Sequence, residues 1–470
     1  MRKQVQFRLL VVRLGAMGDV LHALPAITAL RKAHPAWKID WAIEPRWLPL
    51  LTAEPQNAIL GAARNRARPV VDQIHLVPSR DWGRKFFKKE TLNEIRTVRA
   101  EMRAAEYDAV LDLQGAIRSA IVARLSGCKR IVGEAKPRET PAKWLFTERV
   151  KTAGEHVIDQ DMELASAVAG DLLTLAAPEL PVDVDAEDWC DEHQELKSAE
   201  WTGKPIVLIH PGAGWGAKRW PAERFGAVVE AFTMRGGVVL VNAGPGEEAL
   251  AAEVVAAAGA GGEGRATVVA CTLEQLIALT RRVSLVIGGD TGPLHLACAL
   301  GKPVVGIYGP TDPKRNGPYG SRFRVLRNPE SRQDHTRREE PEAGLLTIGP
   351  EAVLQAALEL MLEERKARQS REQGAGPGRV ERPVLGPAQE PVNEPVNEPV
   401  IEPVIEPVNE PVREPAQEPV KRPKKEPKKG PVKESKKGPV KEPKKGPVRG
   451  PKKGPVKRTG RMRGADDGIG

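Results

Sequence analysis

Residues 7–30 read FRLLVVRLGAMGDVLHALPAITAL. An apolar run as long as a buried strand leads into a turn that holds Gly15, Gly18 and the carboxylate of Asp19, and an apolar helical segment follows. A plain strand-to-helix turn needs one glycine at most. Two interpretations of Asp19 stay open on this stretch: the side chain caps the helix, or it serves the chemistry of a site at the turn.

The alternation of strand and helix continues along the chain in two series. The first series, between residues 7 and 170, has the strand-like runs FRLLVV, WKIDWAI, VDQIHLV, YDAVLDL and RIVG. The second begins near Lys204 with IVLIH, GVVLVNAG, TVVA, SLVIGG and PVVGIYG. Strands that alternate with helices imply right-handed βαβ units and parallel sheets. The sequence therefore predicts an α/β fold of two tandem Rossmann-like, doubly wound domains with a ligand cleft between them.

Changes in composition give the predicted domain boundaries. We expect an N-terminal domain over 1–175 and a C-terminal domain over 204–370 that ends in a closing helix near 351–368. The stretch 176–203 is rich in Pro, Asp and Glu and has no clear periodicity, so it is predicted to be a linker. A repetitive tail follows over 371–470.

The tail carries most of the net charge of the chain. Proline recurs about every fourth residue from Pro383 to Pro455, and the net charge is +8 over 371–470 but only +2 over 1–370. With few large apolar residues, the tail is predicted to be disordered and partly polyproline II. A solvated linker is the favoured interpretation, a basic segment attracted to anionic lipid is the second, and a nucleic-acid partner is the least expected.

Other features indicate the compartment. The four cysteines lie far apart without a CxxC pair, which is typical of a reducing compartment and argues against a zinc site. No apolar run approaches the roughly 20 residues that span a bilayer, and Arg13 interrupts the first run, which makes it a poor signal peptide. We expect a cytoplasmic monomer that at most touches an anionic membrane surface, and no nucleic-acid partner.

The segment 210–221, HPGAGWGAKRWP, leaves a strand and turns through a series of glycines that includes Gly212 and Gly214. Such a loop lets backbone amides approach an anion, and Lys218 adds a positive charge. The loop is not a Walker loop, because GxxxxGK[ST] is absent.

The segment 284–313, SLVIGGDTGPLHLACALGKPVVGIYGPTDP, places a second candidate anion site at a helix start. Asp290, Thr291 and Gly292 lie where unpaired amides and the helix dipole favour a phosphate, and His295 lies one turn further on. Helix capping by Asp290 or Thr291, with a packed His295, is an equally open interpretation.

Taken together, these motifs predict group transfer from a nucleotide-activated donor. Two anion-binding loops of the second domain would hold a diphosphate, and Lys218 would offset its charge as it leaves. Asp19 of the first domain would accept the proton of the acceptor hydroxyl.

MGDVLHALPAITALRKAHP, DLQGAIRS, HPGAGWGAKRWP and GGDTGPLHLACALGKPVVGIYGPTDP resemble the bacterial lipopolysaccharide heptosyltransferases of glycosyltransferase family 9, which have the GT-B fold. The resemblance covers about residues 7–365. It implies transfer of L-glycero-D-manno-heptose from ADP-heptose to Kdo of Kdo-lipid A, with inversion and without a metal or cofactor.

The resemblance also assigns expected roles to residues. Asp19 matches the general base and Lys218 the lysine near the donor phosphates. The expected donor-binding residues are Gly212, Gly214, Lys218, Asp290, Thr291, Gly292 and His295, with Glu247 and Glu248 as alternatives for the ribose. The expected acceptor-binding residues are Gly15 and Gly18, which would leave space for a sugar, and the cations Arg80, Arg84, Lys85, Lys88, Arg118, Lys136 and Arg138. Aromatic residues lie between the cations of 79–89, so this segment is also a candidate to enter the bilayer interface.

Three other functions remain open. The first is a heptosyltransferase II or III that acts on a heptose acceptor. A nucleotide-sugar epimerase would need the nucleotide site but would leave the basic segment 79–89 unexplained, and a non-catalytic binding protein would not need Asp19. A dinucleotide-dependent oxidoreductase is disfavoured, because RLGAMGD departs from GxGxxG.

Overall fold

A computed structural model describes residues 6–55, 58, 61–259, 265–333, 336 and 338–373. The predictions for the tail from residue 374 onward therefore lie outside the described residues.

The N-terminal half is built on a parallel six-stranded sheet. Its strands are β1 (Arg8–Val12), β2 (Lys38–Ile43), β3 (Gln73–Leu76), β4 (Ala109–Asp112), β5 (Ile131–Glu134) and β6 (Glu148–Val150). Its helices are α1 (Met17–Ala33), α2 (Ser79–Arg84), α3 (Lys89–Ala104), α4 (Ile117–Leu125) and α5 (Val157–Ala169), with 3₁₀ turns at Pro45–Leu50 and Thr140–Trp144. The central strands are buried apolar runs, as expected when helices cover both faces of a parallel sheet.

The C-terminal half repeats this plan. Its strands are β7 (Ile206–His210), β8 (Val238–Ala243), β9 (Arg265–Ala270), β10 (Leu285–Gly289), β11 (Val304–Tyr308) and β12 (Phe323–Arg327). Two helices precede it, α6 (Val184–Glu192) and α7 (Gln194–Thr202). The others are α8 (Ala222–Met234), α9 (Glu248–Ala257), α10 (Leu273–Arg282), α11 (Gly292–Ala299), α12 (Pro313–Asn316) and α13 (Pro350–Gln373), with 3₁₀ turns at Gly216–Lys218 and Leu345–Thr347.

Both sheets have the same strand order. The first runs β3-β2-β1-β4-β5-β6 and the second β9-β8-β7-β10-β11-β12. In each sheet the order reverses between the first and fourth strands, and open α/β sheets bind ligands in the crevice at this switch point. The Asp19 turn follows β1, and the two glycine-rich loops of the second half follow β7 and β10. All three motifs therefore lie at switch points.

Helix α1 connects the two halves. It packs against α5 of its own half and against α11 of the other, and the largest buried apolar cluster contains residues of both sheets. This packing brings the turn after β1 next to the turn after β10.

The predicted α/β architecture is confirmed, with three differences. A sixth strand ends each sheet; β6 has only three residues, and every side chain of β12 is half-buried, so neither gives a continuous apolar signal. The predicted linker 176–203 contains α6 and α7. Pro25 predicts a kink in the first helix or the start of that helix, but α1 begins at Met17 and continues through Pro25. The exact domain boundaries remain a proposal.

Candidate active site

The turn after β1 places Asp19 in the first turn of α1. Its Oδ2 accepts a hydrogen bond from the backbone N–H of Ala16 at 3.0 Å, and its Oδ1 pairs with the buried Arg13 guanidinium at 3.2 Å. About a third of the Asp19 side chain stays exposed. The carboxylate therefore supports the helix start and is still accessible to a ligand.

The two glycines of this turn do not leave the open space that we expected for a sugar. A Cβ atom on Gly15 would meet the Trp47 indole, and one on Gly18 would lie 2.8 Å from Cδ2 of His295. The missing side chain of Gly15 instead lets the Trp47 indole of the same half approach closely. The missing side chain of Gly18 does the same for the His295 imidazole of the other half. The contact at Gly18 brings α11 against the turn that carries Asp19.

In the other half, the loop after β7 ends in the 3₁₀ turn that carries Lys218. The Lys218 ammonium lies 4.4 Å from the centre of the Trp215 ring and pairs with Asp290. Gly212 has no room for a Cβ, because the Glu247 carboxylate fills that position. The more exposed Glu248 accepts a hydrogen bond from Gly246 near the start of its own helix. The structure thus favours Glu247 over Glu248 as a residue of this loop cluster.

Capping does not explain the turn after β10. The Thr291 side chain makes no cap hydrogen bond; its hydroxyl donates to the Gly289 carbonyl at 3.3 Å. Asp290 accepts from Lys218 and from His295 instead. Helix α11 begins at Gly292, which packs against Met17; a Cβ on Gly292 would lie 2.6 Å from the Met17 sulfur. The first amides of α11 are therefore not used by a capping side chain, and they suit a phosphate.

The Asp290 carboxylate is held in its charged form. Burial alone acts to raise its pKa, but the hydrogen bond from His295 and the Lys218 ammonium outweigh burial and hold the pKa well below its usual range. A diphosphate that bound Lys218 would compete with the Asp290 carboxylate for the same ammonium group. Asp290 therefore holds the Lys218 ammonium in place at the end of this loop.

Two further carboxyl groups lie buried near the Asp19 turn. Oδ1 of Asp112 accepts from the N–H groups of Gln114 and Gly115, and burial raises the pKa of Asp112 to about 6. Burial likewise raises the pKa of Asp161, on α5, to about 7, with Arg13 opposing the shift. Within the described part of the chain, Oδ2 of each has no hydrogen-bond partner.

Cations from the 3₁₀ turn Pro45–Leu50, from α2 and from α4 gather at the carboxyl end of the first sheet. Arg46 stacks on Trp47 at 4.5 Å from the ring centre. Burial, then the positive charges of Arg80 and Arg118, lowers the pKa of Arg46. Arg80 and Arg118 thus repel Arg46, Glu44 offsets part of that repulsion, and a further anion beside Arg46 would relieve the rest.

The basic segment 79–89 divides into a packed part and an exposed part. The Trp82 indole is buried and donates to Glu94 at 3.1 Å, so it supports the fold. Phe86 and Phe87 are 51% and 94% exposed. The other cations predicted for the acceptor are also exposed: Arg84, Lys85, Lys88, Lys136 and Arg138.

A cavity of about 710 Å³ lies beside this site. The segment 171–178, α1 and α11 line it, and its mostly apolar wall includes His22 and His295 but not Asp19, Lys218 or Asp290. The cavity is therefore separate from the charged groups that the chemistry needs.

Sequence reasoning missed Arg13, His22 and Arg46. Arg13 directly follows β1, and Arg46 lies three residues after β2, in IEPRW. The sequence could have indicated Arg13 and Arg46, because each is a cation just beyond the carboxyl end of a strand, where ligands bind. His22 had no comparable signal, because its partner is 273 positions away in the sequence.

Two parallel sheets of this order, with the turn after β1 beside the turn after β10, are the architecture of the GT-B fold. The profile described as "Glycosyltransferase family 9 (heptosyltransferase)" matches residues 95–346, more than half of the chain. The chain belongs to this family, and it is a transferase.

Relatives with assigned functions are named lipopolysaccharide heptosyltransferases; several carry the name heptosyltransferase 1 and others the name heptosyltransferase 3. Lipopolysaccharide heptosyltransferase 1 of Escherichia coli K12 is 28% identical over 335 residues, which cover 68% of this chain and 94% of the relative. The Pseudomonas aeruginosa protein of the same name is 26% identical over 322 residues, or 67% of this chain and 81% of the relative.

Solved structures share the fold. "E. coli heptosyltransferase WaaC with ADP" has a TM-score of 0.59 at 23% identity and covers 76% of this chain and 99% of its own. The family 9 glycosyltransferase from Veillonella parvula has a TM-score of 0.61 at 22% identity, over 77% of this chain and 99% of its own.

Proposed function

We propose that this protein transfers heptose from ADP-heptose to Kdo of Kdo-lipid A, the first heptose addition to the lipopolysaccharide inner core. The observation that carries the proposal is the contact of α1 with α11, which brings the turn that holds the accessible Asp19 carboxylate against His295, the partner of Asp290. Family membership and relatives named lipopolysaccharide heptosyltransferase 1 support it.

The proposed step is a single displacement. The acceptor hydroxyl attacks the anomeric carbon of the heptose while Asp19 takes the hydroxyl proton. The bond from that carbon to the diphosphate oxygen breaks, and the electron pair leaves with ADP. Attack opposite the leaving group inverts the anomeric configuration.

The C-terminal half supplies the donor site. Lys218 and the first amides of α11, at Gly292, face the charge that grows on the departing diphosphate. Glu247, packed against Gly212, is the candidate for the ribose hydroxyls. These groups belong to strand ends of one sheet, so they are positioned before the donor binds.

The N-terminal half supplies the acceptor site. Kdo carries a carboxylate and lipid A carries phosphates, and guanidinium groups bind both in bidentate geometry. The cluster of Arg46, Arg80 and Arg118 is the proposed anion site, close to the Asp19 turn through the stacking of Arg46 on Trp47.

The test is a transfer assay with purified protein, ADP-heptose and Kdo-lipid A. We expect ADP release and a lipid product heavier by one heptose, as measured by mass spectrometry. A parallel reaction with an acceptor that already ends in heptose separates this function from that of heptosyltransferase II or III. ADP release only with the second acceptor would overturn the acceptor assignment, and epimerised donor without transfer would overturn the proposal.

We further propose that the protein works at an anionic membrane surface. No helix in the described ranges is long and apolar enough to cross a membrane. Phe86 and Phe87 are exposed next to Arg84, Lys85 and Lys88, an arrangement that suits the boundary of headgroups and acyl chains. The acceptor is a lipid, so this surface would bring the acceptor site to its substrate.

A further inference from the structure

A chain of hydrogen bonds runs from the donor site to the opposite half of the molecule. Lys218 pairs with Asp290, whose Oδ1 lies 3.1 Å from Nε2 of His295. Nδ1 of His295 lies 3.2 Å from Nε2 of His22, which belongs to α1. The last bond crosses between the two halves. These four residues are called the histidine chain below.

The protonation of each member follows from its neighbours. Ionised Asp290 only accepts hydrogen bonds, so Nε2 of His295 must donate to it. Burial lowers the pKa of His22 well below its usual value, so His22 is neutral and carries one N–H.

That proton of His22 has one suitable position. Nδ1 of His22 is buried without a partner among the described residues, and an unpaired buried N–H is rarer than an unpaired acceptor. We therefore place the proton on Nε2, where it donates to Nδ1 of His295.

Local packing limits this bond to one arrangement of the helices. Gly18 lies one turn before His22, and its missing side chain makes room for the His295 ring. Gly292 lies one turn before His295, and its missing side chain makes room for the Met17 side chain. The bond between the imidazoles forms only when α1 and α11 approach this closely.

We propose that His22 is a positioning residue, which fixes His295 on Asp290 when the donor diphosphate draws Lys218 away. This proposal rests on the proposed function of the Lys218 site. Without His22, Lys218 becomes the main partner of Asp290, and the ammonium is held back from the diphosphate. Since His22 belongs to the acceptor half, it also makes the donor site depend on the contact between the halves.

Two substitutions at His22 test the proposal. His22→Gln keeps an N–H donor near the position of Nε2, whereas His22→Met fills a similar volume without a donor. We expect kcat to fall about tenfold in H22M, the cost typical of one lost buried hydrogen bond, and most of it to return in H22Q. His34→Met, at the end of the same helix and outside the histidine chain, is the control for removing an imidazole.

A measurement on the unaltered protein does not depend on how the variants fold. In protein labelled with ¹⁵N-histidine, we expect a nitrogen–nitrogen coupling across the bond from His22 Nε2 to His295 Nδ1, and loss of that coupling in H22M. A proton on Nδ1 of His22, or equal activity of H22M and wild type, would overturn the proposal. Equal loss in H22Q and H22M would assign His22 a packing role. Failure of the proposed function would appear separately, as absence of transfer by the wild type.

Discussion

The two halves share one strand order but prepare their charged groups in opposite ways. In the C-terminal half, Lys218, Asp290 and His295 neutralise one another and are largely buried. In the N-terminal half, Arg46 lies near the like charges of Arg80 and Arg118, which Glu44 offsets only in part. Under the proposed function, a small donor would be enclosed by groups that are already paired, whereas a large lipid acceptor would meet an open, cationic surface. The same fold would then serve two ligands because its strand-end loops differ.

The largest expected effect is at the point where the halves meet. Asp19→Asn keeps an oxygen to accept from Ala16 but removes the base, so kcat should fall about 10²–10⁴-fold. The affinity for ADP, measured by calorimetry, should stay within about threefold, because the donor contacts lie in the other half. Wild-type turnover in D19N would remove Asp19 from the mechanism.

A pH effect on stability should come from the N-terminal half. Folding raises the pKa of Asp161 to about 7, so between pH 4.5 and 7 the folded state binds more protons than the unfolded state. The free energy of unfolding therefore falls as pH rises, by up to about 1.4 kcal/mol per pH unit from this group. Asp161→Asn should lose this dependence and be more stable than the wild type at pH 8.

Urea unfolding at pH 5 and pH 8 measures this difference. Exposed Asp171→Asn is the matched control, and its two midpoints should follow those of the wild type. An identical pH dependence in D161N and wild type would show that Asp161 is ionised in the folded protein.

The donor site should lose affinity when its cation is removed. Lys218→Met deletes a charge-assisted contact with the diphosphate, and ADP should bind about 10- to 100-fold more weakly. The exposed Lys204→Met is the control, with unchanged ADP affinity. Calorimetric titration measures the affinity of each variant for ADP. Unaltered ADP binding by K218M would show that the diphosphate does not bind at Lys218.

Substitutions in the N-terminal half should weaken recognition of the acceptor without changing donor binding. Arg46→Gln and Arg118→Gln should each raise the KM for Kdo-lipid A about tenfold and leave ADP affinity unchanged. Arg99→Gln, an exposed change on α3, is the control. An equal rise of KM in R99Q would mean that general positive charge, rather than this cluster, attracts the acceptor.

The smallest effect should be at the proposed membrane surface. Phe87→Ser removes one exposed ring and should weaken binding to vesicles that contain anionic phospholipid by several-fold. Leu172→Ser is the control, since Leu172 is also 94% exposed but lies on the segment between the halves. Sedimentation with vesicles compares the two, and equal binding by F87S and wild type would remove Phe87 from that surface.

The sequence predicted what depends on local pattern. The buried strand IVLIH coincides with β7, and the turns that carry Asp19, Lys218 and Asp290 follow from glycines at strand ends. The pairings across the molecule could not be predicted, because His22 and His295 meet only through the packing of α1 on α11. The role of Gly18 was misjudged for the same reason.

A structure with ADP-2-deoxy-2-fluoro-heptose bound would show whether the donor lies between Lys218 and Asp19. We expect a diphosphate oxygen about 2.7–3.2 Å from Nζ of Lys218, and the Asp19 carboxylate on the side of the anomeric carbon opposite the diphosphate. A diphosphate in the cavity beside 171–178, or a heptose ring turned away from Asp19, would contradict this expectation.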